Sequence, residues 1–256
     1  MEIIIQPTPE AATGIAARLL GKAIRAKPAS VLGLATGSTM EALYRELVAM
    51  KLDWSKLTTF NLDEYVGLSP QHPQSYHSFM WDNLFRHVNV AIKNVNIPDG
   101  LAKDVPATCD NYERKISATG GIDVQLLGIG TSGHIGFNEP TSSLASRTRI
   151  KTLTPQTLSD NARFFGSESG VPHHVITMGI GTILESRHCV LLAFGAKKAR
   201  AIAEAVEGPI TAMNPASALQ LHPKVTVFLD EAAAAELKMK EYYRWVYEQK
   251  PAWQKL

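Results

Sequence analysis

The 256-residue sequence predicts an α/β fold: a single domain over residues 1–256, with a mostly parallel open sheet and helices on both faces, in a modified Rossmann-like arrangement. Three observations carry that expectation. Short β-branched runs alternate with stretches of helical apolar spacing along the whole chain. A chain this long can bury roughly three quarters of its unfolded surface without disulfides or metal. No Pro/Gly/Ser-rich linker, compositional break or internal repeat divides it.

The elements follow in order. EIII (2–5) opens as a strand, and AATGIAARLLGKAIRA has helical spacing. SVLGLA (30–35) is a buried strand; after the turn TGST comes a helix with Met40, Leu43, Tyr44, Leu47 and Val48 on one face. LTTFNL (57–62) is the next strand, residues 75–88 and 109–121 are helical, and the second of these helices ends in glycines. IDVQLLGIG (122–130) is a strand and TRIKTLT (148–154) is extended, while PQTLSDNARFF starts a helix at its proline. Strands at 173–180 and 188–195, a helix at 196–206, a strand at 224–230 and a long terminal helix at 231–249 complete the series.

Composition excludes several function classes. Charged residues are 20% of the chain and the net charge is only +2, which argues against a nucleic-acid partner. The basic bursts Arg147–Lys151 and Lys197–Arg200 are too small for a polyanion and suit a single phosphate. Cys109 and Cys189 lack C-x-x-C spacing, so no metal or redox centre is expected. The N-terminus has no basic n-region and long apolar core, and no run reaches 18 apolar residues. The expected setting is cytoplasmic, away from membranes.

Three turns at strand ends stand where open α/β sheets bind ligands. ATGST (35–39) offers the amides of Ser38 and Thr39 after a permissive Gly37, either as an anion site or as an ordinary helix cap. In FNLDEYVGL (60–68), Asp63 and Glu64 follow an apolar strand; neighbouring side chains diverge, so one can face the crevice, or both are solvated loop carboxylates. LGIGTSGHIGFNEP (127–140) contains G-x-G-x-x-G, yet Gly136, Asn138 and Pro140 oppose a helix and the next acid is Asp160. A dinucleotide site needs that helix and an acid about 20 residues on, so the dinucleotide reading fails. What remains is a bare loop carrying His134 with Glu139 nearby, a positioned proton carrier. Arg163 and Lys198 are either surface charges or, grouped with the TGST turn, phosphate ligands.

LGLATGST, TFNLDEYVGL, HPQSYHSFM, GIGTSGHIGFNEP, SSLASRTRIKTLT, NARFF, TMGIGTIL, AVEGPI and SALQLHP span residues 30 to 224, in an order that resembles the glucosamine-6-phosphate deaminase (isomerase) family. NLDEYVGL followed by GHIGFNEP is the specific pairing; the related 6-phosphogluconolactonases share the fold and a phosphosugar site but not both motifs. The resemblance implies deamination and isomerisation of glucosamine 6-phosphate to fructose 6-phosphate and ammonia in amino sugar catabolism. It implies Asp63 as the general base between C2 and C1, acting through a cis-enolamine. It implies His134 as the residue assisting ring opening, with Glu139 as its carboxylate partner. Thr36, Gly37, Ser38, Thr39, Arg163 and Lys198 match phosphate-binding positions, and no cofactor or metal is called for. Ser142, Ser143, Arg149 and Lys151 match positions that bind an N-acetylglucosamine 6-phosphate activator between subunits in allosteric members, so a homo-oligomer is one possible state.

Two departures stand out. Ser132 replaces the acid that sits two residues before the catalytic His in the best-known allosteric members, which predicts a shifted pH–rate profile. Arg244 falls near those members' C-terminal tyrosine, with Tyr242 and Tyr243 just before it. Alternatives are another phosphosugar enzyme, such as a lactonase or an isomerase without ammonia release, or a non-catalytic sugar-phosphate sensor. A lactonase has no use for a C–H base at Asp63. A sensor would tolerate loss of Asp63, His134 or Glu139, and all three are present.

Overall fold

The structure, a computed structural model, describes residues 1–254. The strands are β1 (Glu2–Gln6), β2 (Val31–Leu34), β3 (Thr58–Asn61), β4 (Asp63–Tyr65), β5 (Val95–Asn96), β6 (Val124–Leu127), β7 (Arg149–Thr152), β8 (His174–Thr177), β9 (Cys189–Ala193) and β10 (Val225–Asp230). The helices are α1 (Pro9–Ala26), α2 (Ser38–Ala49), α3 (Tyr76–Asn83), α4 (Val105–Ala118), α5 (Pro155–Phe165), α6 (Ile180–Leu184), α7 (Ala199–Glu207) and α8 (Lys240–Glu248). Seven strands form one sheet in the order β1-β10-β9-β6-β2-β3-β5, and every pairing in it is parallel.

The order fixes where a ligand can sit. From β1 to β2, β3 and β5 the chain steps towards one edge; from β5 to β6, β9 and β10 it steps back across the sheet. Right-handed crossovers running in opposite directions put α1 and α2 on one face and α4 and α7 on the other. α1 packs on α2, and Phe60 of β3 meets the ring of Tyr112 of α4 edge-on at 5.5 Å. β2 and β6 are neighbours whose outgoing connections part, so a crevice opens beyond their carboxyl ends. The turns after these two strands are Thr36–Thr39 and the loop 128–140.

The central strands are buried along their whole length: VLGL, VQLL, CVLLA and VTVFLD contain no exposed residue. This burial on both faces explains why they read as continuous apolar runs. Trp54, Tyr44, Phe60 and Phe228 are the bulkiest of the fully buried side chains.

The structure refines the sheet expected from sequence. The extended stretches near 148–154 and 173–180 do not extend the parallel sheet. With β4 they form a separate antiparallel sheet, β4-β8-β7. The helix expected over 109–121 starts earlier, at Val105, because Asp104 caps it by accepting from the Ala107 amide at 3.0 Å. The long terminal helix over 231–249 is corrected to α8 alone. The Asp230 carboxylate accepts from the Ala233 amide at 2.8 Å and from the Gly195 amide, and the Glu207 carboxylate accepts from the amides of Lys238 and Met239. Ala233, Ala234 and Leu237 are buried. Glu207 takes two of these amides from outside the segment, and this tertiary demand overrides the helix propensity of the alanine run.

One buried titratable group sits under the sheet. His188, which precedes β9, is buried, with Nε2 3.0 Å from the Thr226 hydroxyl. Burial, with the Lys224 and His222 charges adding to it, pushes its pKa down from 6.5 to about 4. Between those values the unfolded chain binds a proton that the folded chain refuses. Stability is therefore present above pH 6.5 and is lost as pH falls through this window, by up to about 3 kcal/mol. Urea unfolding at a series of pH values should show this slope in the wild type and a flatter one in His188→Gln.

Candidate active site

The crevice is a cleft of about 780 Å³, lined by Thr36–Thr39, Asp63, His134, Arg163 and Lys198 among others. Its first end is the turn after β2. Gly37 has φ +105, a conformation L side chains rarely adopt, although a Cβ there would meet nothing within 4 Å. The glycine is thus required by backbone geometry rather than by packing. It turns the chain into α2, so the first-turn amides of Ser38 and Thr39 have no intrahelical acceptor, and both residues line the cleft at the positive end of the helix. Lys198 arrives from the turn before α7 and Arg163 from α5. The Lys198 ammonium is half-buried and its pKa is lowered, chiefly by burial, with Arg163 and Lys197 adding and Asp160 opposing. Amides and cations of this kind form a site for a doubly charged anion.

The pair Asp63–Glu64 divides as alternate strand residues must. Glu64 turns from the cleft into the body. It is buried and accepts from the amides of Tyr65 (2.8 Å), Tyr76 (3.0 Å) and His77 (2.9 Å), which caps the start of α3. Asp63 faces the cleft and is only 5% exposed. Burial first, and the neighbouring Glu64 charge second, push its pKa well above the ordinary carboxylate value. Bare backbone lies against it: a Cβ on Gly136 would stand 3.5 Å from Asp63 Oδ2 and 3.0 Å from the Thr177 hydroxyl, at φ +54. The glycine-rich loop therefore gives close approach to Asp63, not to a pyrophosphate.

His134 lines the cleft, whereas Ser132 and Glu139 stand behind it. Its Nδ1 lies 3.2 Å from Glu139 Oε2 and 2.9 Å from the Ser132 hydroxyl, which itself reaches Glu139 at 3.5 Å. Glu139 is 2% exposed. Burial opposes its charge, but the hydrogen bond and charge of His134 and the hydroxyls of Thr157 and Thr154 outweigh that, and its pKa is lowered. Glu139 holds its charge behind the imidazole and engages Nδ1, while the ring itself lines the cleft. Ser132 joins this arrangement as a neutral partner, as expected for the residue replacing an acid.

Asn138 holds the loop in place. Its Nδ2 donates to the carbonyls of Ile135 (2.9 Å) and Met178 (2.8 Å), and its Oδ1 accepts from Arg149 Nη1 at 2.9 Å. The Phe137 amide donates to the Thr177 hydroxyl at 3.1 Å. These bonds tie the loop to the end of β8 and to β7.

Sequence reasoning missed the cleft's aromatic wall. Tyr76 stacks on Phe137 with centroids 6.0 Å apart and planes 4° apart. Tyr65 packs on both, and its hydroxyl accepts from Asn161 Nδ2 of α5 at 2.9 Å. The signal was available: Tyr65 and Tyr76 stand in the DEYVGL and SYHSFM stretches, each close to a strand end or helix start.

Ser142, Ser143, Arg149 and Lys151 do not line the cleft. Ser142 is buried, and among the described residues its hydroxyl has no hydrogen-bond partner. The Ser143 hydroxyl accepts from the Ala145 amide at 3.2 Å. Lys151 is half-buried on β7, and Arg149 is held by Asn138. Arg244 is engaged by Glu231 at 2.7 Å and Glu241 at 2.5 Å. Among the described residues no three His, Cys, Asp or Glu side chains are grouped to hold a metal ion, and no helix is long and apolar enough to cross a membrane.

Comparison with known proteins gives the family of the chain. The profile of the family described as glucosamine-6-phosphate isomerases/6-phosphogluconolactonase matches residues 8–228. The chain is 54% identical to a glucosamine-6-phosphate deaminase of Arthrobacter sp. (strain FB24), over the full length of both. It is 52% identical to the deaminase of Streptomyces coelicolor, over 99% of both. Among solved structures, a monomeric glucosamine-6-phosphate deaminase superposes with a TM-score of 0.90 at 46% identity, covering 92% of this chain and all of its own. A 6-phosphogluconolactonase from Leishmania guyanensis, at 23% identity, TM-score 0.73 and coverage of 91% and 97%, shares the fold.

The buried Asp63 has a stability cost that can be measured. Its folded pKa lies above its unfolded one, so its contribution to stability is full below the unfolded value and is lost as pH rises through the folded value. Asp63→Asn should therefore melt higher than the wild type at neutral pH, and the gap should close towards pH 4. Thermal melts across pH check it.

Proposed function

The chain belongs to the glucosamine-6-phosphate isomerase/6-phosphogluconolactonase family, and we propose that within it this protein is a glucosamine-6-phosphate deaminase. It converts glucosamine 6-phosphate and water to fructose 6-phosphate and ammonia, a step of amino sugar (N-acetylglucosamine) catabolism. One observation carries the reading: Asp63 and the Glu139-backed His134 open onto the same cleft as the α2 anion site with Lys198 and Arg163.

The phosphate sits on the amides of Ser38 and Thr39 between Lys198 and Arg163, with the Thr36–Gly37 turn around it. Fixing C6 there orients the sugar's reacting end, the positional part of catalysis. His134 passes a proton to the ring oxygen as the C1 hydroxyl gives one up, and the pyranose opens to the aldehyde. Glu139 holds the imidazole in place and balances its charge, with Ser132 as a second acceptor or donor. Asp63 then takes the C2 proton, giving a cis-enolamine, and returns it to C1. The resulting imine at C2 adds water and expels ammonia. A carboxylate whose pKa is raised by burial is a stronger base than one in water, which suits it to a weakly acidic C–H. The aromatic wall of Tyr65, Tyr76 and Phe137 screens this end from solvent.

Substrates of this kind are kept in the cytoplasm, and we place the enzyme there. Ser142, Ser143, Arg149 and Lys151 are the positions at which an activating sugar phosphate would bind if the chain assembles with further copies.

Incubation of purified protein with glucosamine 6-phosphate should release fructose 6-phosphate and ammonia in equal amounts. Asp63→Asn should lower kcat by about 10²–10⁴-fold. Because Asp63 holds its proton above the ordinary carboxylate range, kcat/KM should rise with pH through that elevated value. Activity already level at pH 4–5, or undiminished in the asparagine variant, would remove Asp63 from the role of base.

A further inference from the structure

We infer that Thr157 is a positioning residue through which α5, the helix that brings Arg163 to the cleft, sets the orientation of the Glu139–His134 pair. The inference rests on the deaminase reading above and assigns a task to a side chain outside the motifs that carry the family resemblance.

The two oxygens of Glu139 face opposite ways. Oε2 serves His134 and Ser132. Oε1 accepts from the Thr157 hydroxyl and from the Thr154 hydroxyl, the latter at 3.3 Å. Both threonines belong to the start of α5: Thr154 is its N-cap and accepts from the Thr157 amide, and Thr157 lies in its first turn. Thr157 is the one buried residue of α5. Further along, the helix touches the body through Asn161 on Tyr65 and Asp160 on Thr131 at 3.4 Å, and through Phe165 against Tyr65. Arg163, on the same helix, lines the cleft. A phosphate that draws Arg163 inward therefore acts on a helix whose buried foot is bonded to the carboxylate behind His134. Seating α5 and aligning the imidazole become a single event.

A hydroxyl on a buried carboxylate also shares in keeping it ionised. His134 is the titratable side chain bonded to Glu139. Of the other charged groups on neighbouring elements, Asp160, Arg163 and Lys198 line the cleft, Arg149 of β7 is held by Asn138, and Lys151 lies outside the cleft lining.

Thr157→Val keeps the shape and removes the donor; Thr157→Ser keeps the donor. With glucosamine 6-phosphate as substrate, the valine variant should lose about tenfold or more in kcat while KM changes little. Followed directly by carboxyl-carbon NMR, Glu139 should take up its proton at a higher pH in the valine variant than in the wild type, because a hydrogen bond that favours its charged form is gone. The serine variant should recover both. If the valine chain does not fold, Thr157→Ala, which a helix accepts, carries the same comparison. Unchanged kcat and an unchanged Glu139 titration, or a rise in KM alone, would reduce Thr157 to a support of the helix and overturn the inference. An inactive wild-type protein would instead overturn the deaminase reading, which separates the two failures.

Discussion

The register of the small antiparallel sheet governs the reacting end of the site. Asp63 of β4 and Arg149 of β7 both pair with Thr177 of β8. The fully buried Thr177 also receives the Phe137 amide through its hydroxyl. One residue further, the Met178 carbonyl receives Asn138. The base, the loop that carries His134, and the arginine that fixes the loop's asparagine are thus referred to two consecutive residues. A slip of one position in this sheet would turn Asp63 into the body and Glu64 into the cleft. The two neighbouring acids cannot exchange tasks, since Glu64 is occupied by the Tyr65 amide and by two amides of the α3 start.

Electrostatics then divides the cleft. At the phosphate end, helix amides and two cations meet with Asp160 beside them, and burial makes Lys198 give up part of its affinity for its proton. At the other end two carboxylates are buried with opposite outcomes. Asp63 has burial and a like charge against ionisation, while Glu139 has hydroxyls and an imidazole in its favour. The contrast gives one carboxylate a proton-transferring task and the other a holding task, the division expected of groups whose environments drive them apart.

Much of this was legible in the sequence, and for physical reasons. The parallel core strands announce themselves because burial on both faces removes polar residues from VLGL and CVLLA. The turn at Gly37 and the loop at 128–140 could be placed because only glycine supports their backbone. The small sheet could not be separated from the large one, because β4, β7 and β8 are only three or four residues long and their partners are set by tertiary contacts. The terminal helix departs from the expectation because alanine propensity is local, whereas the Glu207 carboxylate that claims the amides of Lys238 and Met239 comes from a distant position. Residue types identified Asp63 and His134 as candidates. Which of Asp63 and Glu64 faces the cleft needed the ladder with Thr177, and the aromatic wall needed the fold.

The separation into two sheets has a further consequence. The α2 amides and Lys198 stand at the carboxyl ends of parallel strands, whereas Asp63, the anchor of the His134 loop and, through α5, Arg163 belong to the antiparallel unit. Anchorage thus draws on both sheets, and the chemistry leans on the smaller one. Substitutions around α2 can retune how tightly the charged tail is held without moving the proton carriers, while those in the smaller unit alter grip and reaction together.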